Sequence, residues 1–308
     1  PIPYQGSKRL LAPRILAYVA GLRFRRFYEP FGGSAAITIA AAQMSLADEY
    51  VVADSLTPLA ALWRSILHAP AVTADRYERI WIGHQDDKIE HYYKIRAEFN
   101  RLQDPVQLLY LLARCAKNAP RFNQHGHFNQ SPDKRRLGMH PWKMRLHLLG
   151  ASSLLGKRTQ ILEGDFEDTL ADATPHDLVY MDPPYEGTST GVDRRYHQGM
   201  NRERLIRELK ALNGRRIPWL LSYDGQCGTK RYGDYLPEDV NAERVALNAG
   251  RSSQATLNGR SEVTVESLYV SRMLLAKPEP PIAWIPATHQ LSSAQAQAAL
   301  DFGIGLPH

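Results

Sequence analysis

Four apolar runs in this 308-residue sequence finish in an acid and then break into a turn: "FYEPFGG" at Glu29, "YVVADS" at Asp54, "ILEGDF" at Asp165 and "LVYMDPPY" at Asp182. Short apolar runs bounded by Gly or Pro, with helical stretches between them, are what a parallel sheet covered on both faces requires. "RRFYEPFGGSAAITIAAAQ" (25–43) passes from an aromatic strand through a glycine pair into an Ala-rich helix. "YVVADSLTPLAALWRSI" (50–66) repeats the pattern, with Pro58 at a first helical position. Strand signals resume in "TQILEGDF" (159–166), "DLVYMDPPY" (177–185) and "IPWLLSYDG" (217–225), and "SEVTVESLYVSRML" (261–274) alternates as a final strand. The expected fold is therefore α/β, doubly wound and mostly parallel. In such sheets ligands bind outside the carboxyl ends of the strands, where strand order reverses.

Residues 63–153 break the alternation. "EHYYKIRAEFNRL" and "PVQLLYLLARCAKNA" have helical period with no buried strand between them, which predicts an inserted, mainly helical subdomain. The expected division is a discontinuous domain of 1–62 and 154–276, an insert of 63–153, and a tail of 277–308 that opens with the irregular "PEPPIAWIP". With 44% apolar and 23% charged residues the chain can build a sizeable core. No apolar run nears the roughly 20 residues of a membrane span, the first residues lack the uncharged core of a secretory signal, and two cysteines cannot make a disulfide framework. These features predict a cytoplasmic protein without a membrane partner.

Net charge is +6, and its distribution says more than its size. Residues 121–145 carry six bases against one acid, and 194–216 carry eight against two. Beside loops rich in His, Asn and aromatic residues, both runs read as phosphate-contacting surface. His125 and His127 have H-x-H spacing but no evident third ligand, so the reading is a polar hairpin tip and no metal.

The strand ends carry the chemistry. Gly32-Gly33 permits close backbone approach but is not the G-x-G-x-x-G that cradles a pyrophosphate, so a cofactor with a nucleoside and no phosphate fits better. Asp54, 25 residues beyond Glu29, is placed either to accept ribose hydroxyls or to cap the helix at Thr57. Asp165-Phe166 could pair an adenine amino group with an aromatic wall. In Asp182-Pro183-Pro184-Tyr185 the two prolines fix φ and hold the Pro183 carbonyl beside the Asp182 carboxylate. Two fixed acceptors suit a planar exocyclic amine, and Tyr185 offers a face for the same ring. The implied reaction is in-line attack of that amine on a sulfonium methyl, driven by positioning.

With these residues assembled, the chain resembles the Dam-like, alpha-group adenine-N6 DNA methyltransferases over most of residues 1–275. "PYQGSK" (3–8) is similar to their K-W-x-G-G-K element, with Tyr4 in the Trp position, Ser7 replacing the second Gly and Lys8 kept. "YEPFGGSAA" (28–36) resembles F-x-E-P-F-x-G-S-G, and "RFNQHGHFNQSP" (121–132) resembles their R-x-N-x-x-G-x-F-N-x-P hairpin. The resemblance implies a Rossmann-like methyltransferase sheet with a target-recognition insert. It also implies S-adenosylmethionine as cofactor and a target adenine flipped out of double-stranded DNA. The expected cofactor residues are Tyr4, Lys8, Glu29, Pro30, Phe31, Gly32, Gly33, Ser34, Asp54, Asp165, Phe166 and Asp182, and the catalytic ones Asp182, Pro183, Pro184 and Tyr185. For DNA they are Arg121, Asn123, His125, Asn129, Lys134, Arg135 and Arg136, with Arg194, Arg195 and Tyr196 on a loop that closes over the base. Arg121 could read a base edge, clamp a phosphate or order the hairpin through Asn123 and Asn129. Competing readings are a cytosine-N4 methyltransferase and a catalytically silent DNA-binding regulator. A bacterial or phage origin, a partner restriction endonuclease, and a monomer or weak dimer complete the expectation.

Overall fold

The computed structural model describes residues 1–83, 87–184, 201–227, 230–251 and 263–275. Tyr185, Arg194, Arg195, Tyr196 and the tail lie outside them. The strands are β1 (Phe24–Glu29), β2 (Ala47–Asp54), β3 (Thr159–Glu163), β4 (Leu178–Met181), β5 (Trp219–Cys227), β6 (Lys230–Tyr232), β7 (Ala242–Arg251) and β8 (Val263–Ser271). One sheet runs β3-β2-β1-β4-β5-β8-β7, with β6 pairing on the end of β5. β1 to β5 are parallel, whereas β8 is antiparallel to both of its neighbours. The winding goes outward from β1 to β3 and returns across β1 to β4, so the switch point lies between β1 and β4. The doubly wound, mostly parallel α/β expectation holds.

Both faces of the sheet are buried, which explains why β4 is apolar without alternation. Leu178 and Tyr180 pack into one core and Val179 and Met181 into the other. The first face is covered by α1 (Ala12–Leu16), α2 (Ala36–Gln43) and α3 (Thr57–His68), the second by α8 (Phe166–Leu170) and α9 (Arg202–Gly214). A terminal turn, α10 (Arg272–Leu275), follows β8.

Between α3 and β3 come α4 (Pro70–Ile82), α5 (Lys88–Leu102), α6 (Pro105–Arg114) and α7 (Pro141–Leu155). Residues 106–114 of α6 are all buried, so the other helices pack around it. Asp104 caps α6 by accepting from Val106 and Gln107 N–H, ahead of Pro105 at the first helical position. Asp87 caps α5 in the same way. The expected boundary at 62/63 falls within α3, which packs on β2 and β3 as well as on α6 and α7, and the apolar core is continuous from the sheet into these helices.

Sequence reading missed β7. In "AERVALNAG" (242–250) Leu247 alone is fully buried, with Ala242, Val245 and Ala249 half-buried, because this is an edge strand on which Glu243 and Arg244 are exposed.

Candidate active site

The loop after β1 is built by two glycines with different jobs. Gly32 donates to the Ala53 carbonyl (2.7 Å), and a Cβ there would lie 2.7 Å from Val52 Cγ1 and 2.9 Å from that same carbonyl. Only glycine lets the loop lie so close to β2. Gly33 has φ +46° and donates to Asp54 Oδ2 (3.0 Å), while its own carbonyl accepts from Trp63 Nε1 (3.0 Å). Asp54 Oδ1 accepts from Leu56 N–H (2.9 Å). The carboxylate thus ties the loops after β1 and β2 together, and each oxygen keeps a lone pair for a further donor. Burial pushes the Asp54 carboxyl up, against the pull of the Gly33 and Leu56 N–H groups. Asp54 meets the residue just before α3, Leu56, and among the described residues makes no bond to an amide of the helix itself.

Glu29, expected among the cofactor residues, is turned into the N-terminus of α2. It is 3% exposed, and Oε2 accepts from Thr38 N–H (2.8 Å) and from the Thr38 hydroxyl. The helix dipole and these donors favour the anion, but burial outweighs them and, with Asp182 nearby, pushes the carboxyl up to about 8. Pro30 is buried behind it. Phe31 stacks on Phe166 with ring centroids 5.3 Å apart, so the two make one aromatic wall joining the β1 and β3 ends. Asp165 caps α8 through Glu167 N–H (3.0 Å) and pairs with Arg204 of α9 (2.7 Å). Its expected freedom to meet an adenine amine is therefore reduced by a local cation that sequence spacing could not reveal.

At the switch point, Asp182 follows directly on β4. Its Oδ1 lies 2.9 Å from Lys8 Nζ, and Lys8 is itself buried, with Glu266 Oε2 of β8 at 3.5 Å and the Gly6 carbonyl at 3.2 Å. Burial works against the charge on Lys8, yet the carboxylates of Asp182 and Glu266 outweigh it and hold Lys8 protonated well above its ordinary value. Burial pushes Asp182 up, to about 6, with Lys8 limiting the rise and Glu266 adding to it. Pro183 is buried, so the acceptor pair rests on a rigid floor.

The N-terminal strap that carries Lys8 crosses all of these parts. The Tyr4 ring lies where a Cβ on Gly33 would meet it at 3.5 Å, and Gln5 N–H donates to Asn118 carbonyl (2.9 Å) at the end of α6. Ser7 and Ser34 hydroxyls are 2.9 Å apart. The serine in place of the second glycine of the K-W-x-G-G-K pattern therefore has a partner, from the loop after β1.

In the insert, residues 121–132 form a hairpin closed by the Phe122–Phe128 bridge, with Gly126 at φ +73° in its tip. Asn123 Oδ1 accepts from both His125 and His127 N–H, so Asn123 orders the turn. Asn100 of α5 clamps the base of the hairpin by a reciprocal pair with Phe128, donating to its carbonyl (3.0 Å) and accepting its N–H (2.7 Å). Arg121, His125, Asn129, Lys134, Arg135 and Arg136 are exposed. Asp133 organises the basic turn by accepting from Arg135 and Arg136 N–H and pairing with the Arg136 guanidinium (2.7 Å). Arg114, missed in the sequence, is buried under this turn and donates to the Asp133 and Arg136 carbonyls. An arginine with no exposed role leaves no periodic signal.

Part of the second basic run already has partners. Within α9, Arg204 pairs with Asp165 and Glu167 and Lys210 with Asp239, while just beyond it Arg215 donates to the carbonyls of Leu170, Ala171 and Ala173. Arg145, in the first run, pairs with Asp75 and Glu78. These cations bridge neighbouring segments in the described structure.

Residues 4–249 match the family model of the D12 class N6 adenine-specific DNA methyltransferases. The chain belongs to this family. Among curated relatives, the retron Ec67 DNA adenine methylase of Escherichia coli is 28% identical over 246 residues, covering 75% of this chain and 80% of that protein. The type II methyltransferase M1.LlaDCHI of Lactococcus lactis subsp. cremoris is 24% identical over 277 residues, 85% of this chain and 91% of that one. The DNA N-6-adenine-methyltransferase of Escherichia phage P1 is 30% identical over 168 residues, 53% of this chain and 21% of that one. Membership of the D12 class makes this an adenine-N6 DNA methyltransferase, as the resemblance implied, and favours that reading over the cytosine-N4 and silent-regulator alternatives. Among the described residues no helix is long and apolar enough to cross a membrane.

Proposed function

We propose that this D12-class enzyme methylates adenine within a specific duplex DNA site, using S-adenosylmethionine held by the loops after β1, β2 and β3, with Asp182 and the Pro183 carbonyl gripping the target amine. The cofactor loop is the fit that supports this. Gly32 lets the loop after β1 lie against β2, Gly33 turns it at φ +46° beside the Tyr4 ring, Asp54 retains acceptor capacity, and the Phe31–Phe166 stack lines the neighbouring wall. When bound, S-adenosylmethionine supplies an electrophilic methyl group on a sulfonium.

The chain's own groups do the rest. Asp182, paired with Lys8, is ionised above about pH 6 and accepts one N–H of the adenine amine. The Pro183 carbonyl accepts the other, so that the nitrogen lone pair leaves ring conjugation and faces the methyl. Burial strengthens both bonds and excludes water. No covalent enzyme intermediate is required; orientation of this kind supplies on the order of 7–11 kcal/mol in favourable systems. Tyr185, outside the described residues, is assigned the stacking face on its position after the prolines. The exposed hairpin 121–132 and the turn at Lys134–Arg136, within the 63–153 insert, form the recognition surface, with Arg194, Arg195 and Tyr196 proposed to close over the flipped base.

The observation that carries the reading is the Asp182 carboxylate at the switch point, seated on a buried lysine. Transfer of labelled methyl groups from S-adenosylmethionine to DNA, followed by nucleoside mass spectrometry, tests it: N6-methyladenine should form with the native chain and not with Asp182→Ala. Methyl incorporation by that variant at the native rate would refute the assignment. Pairing with a restriction endonuclease is proposed from the name of the Lactococcus relative, a type II methyltransferase. Mapping of modified positions in DNA from expressing cells would show the fixed site that such pairing demands.

A further inference from the structure

Glu266 belongs to no motif singled out in the sequence, yet it reaches the catalytic carboxylate at one remove. It stands on β8 opposite Gly225 of β5, at a bulge where Asp224 has φ +55° and the register slips between Ser222 and Gly225. A Cβ on Gly225 would lie 2.9 Å from Val265 carbonyl and 3.6 Å from Glu266 Cα, so the glycine sets how closely β8 approaches and how far Glu266 extends under the site. Glu266 Oε2 is buried and takes no hydrogen bond among the described residues; the charge that answers it there is Lys8, at 3.5 Å. The Lys8 ammonium has three N–H donors and three oxygens within reach, from Asp182, Glu266 and Gly6.

We propose that Glu266 is a positioning residue for methyl transfer: it anchors Lys8 from β8, and through Lys8 fixes where the Asp182 carboxylate stands. The proposal rests on the reading of Asp182 as the amine acceptor. A single Lys8–Asp182 pair would leave an ammonium on a flexible four-carbon stem free to follow the carboxylate. A second carboxylate on a different strand removes that freedom, and the strap's own Gly6 carbonyl completes the seat. The groups facing Asp182 are Lys8 from the strap, Glu266 from β8, Tyr180 from β4 and Glu29 from β1. Lys8 and Glu266 act on it in opposite senses: the lysine favours the anion and the glutamate disfavours it.

That opposition makes the role separable from mere structure. Glu266→Gln keeps the shape and removes the charge. It is expected to lower kcat roughly ten- to hundred-fold, the scale of sub-ångström misplacement in oriented reactions, with the KM for DNA and S-adenosylmethionine affinity unchanged. The acid limb of kcat/KM should move to lower pH, whereas Lys8→Met should move it to higher pH. Glu266→Asp keeps the charge but is one methylene too short; it should lose kcat with less movement of the limb, and native kcat in that variant counts against the proposal. Should Glu266→Gln fold poorly, the active fraction is titrated with S-adenosylmethionine, and native turnover per active site with an unmoved limb overturns the proposal. Asp182→Asn is the control: if it retains native turnover the amine-acceptor reading itself fails. If it is inert while Glu266→Gln keeps both native kcat and limb, only the positioning role falls.

Discussion

Replacing Glu29 by Gln tests the electrostatics of the switch point without touching its shape. The carboxyl is raised from its ordinary 4.5 to about 8 because it is buried beneath α2. A carboxyl with a raised folded pKa contributes stability that is complete below its unfolded value and is lost as pH rises through the folded one. Its full contribution, at about 1.4 kcal/mol per unit, is roughly 5 kcal/mol. Asp182 is raised in the same sense, but only to about 6, so above that pH Glu29 still titrates where Asp182 no longer does. From about pH 6.5 to about pH 8.5 the linkage relation gives a fall of about 2 kcal/mol in unfolding free energy from Glu29 alone. A glutamine side chain at this position can accept the same two bonds from Thr38 and does not titrate, so Glu29→Gln should lose that slope, exceeding the native chain by about 3 kcal/mol at the lower end and by about 5 kcal/mol at the upper. Urea unfolding of both proteins at closely spaced pH values measures the difference, which cancels histidines and other common groups. Parallel stability curves across this window would refute the argument that the buried carboxyl is carried neutral in the folded enzyme.

Four further outcomes follow from the site. Gly32→Ala forces a methyl against Val52 and the Ala53 carbonyl, and should cost about 1–3 kcal/mol of stability together with S-adenosylmethionine affinity, read by thermal unfolding and calorimetric titration. Asp182→Ala should lower kcat by about two orders of magnitude or more with cofactor affinity largely kept, read in single-turnover methyl transfer. Asn100→Ala removes both clamps on the hairpin base and should raise the KM for DNA while leaving kcat on saturating DNA near native. Arg135→Ala should weaken binding on all sequences alike and reduce the salt slope by about one unit; a loss confined to the methylation site would instead mean that Arg135 reads bases.

Much of this arrangement was legible because the residues that make it are local. A strand that runs into Gly-Gly or Pro-Pro within a few residues announces its own turn, and two such ends, with two more that finish in an acid, leave little choice of sheet. β7 was not legible because an edge strand with one fully buried side chain has no strong period. The partners of the site acids escaped for a different reason. Arg204, which occupies Asp165, and Glu266, which holds Lys8, come from elements 39 and 84 positions further along the chain than the acids at 165 and 182; no spacing rule connects them, and each is simply a charge in an ordinary helix or strand.

The same distinction explains why the two basic runs ended differently although they read alike. Arg204 of α9 faces two carboxylates of the neighbouring α8 segment and Arg215, just beyond the helix, faces its carbonyls, so part of that basic run is engaged by groups that lie far away in the sequence. In the insert the acid is local: Asp133 folds Lys134–Arg136 into a tight turn and neutralises at most one of the three, and the Arg114 guanidinium underneath supports that turn through carbonyls without sharing a carboxylate. A basic turn held rigid by its backbone, with its side chains in water, presents charge at little further ordering cost when a phosphate arrives. Clustering of bases in a sequence therefore indicates a nucleic-acid surface only after the fold has been asked which of them already hold an acid, and by that criterion the turn in the helical insert is the better placed of the described basic surfaces.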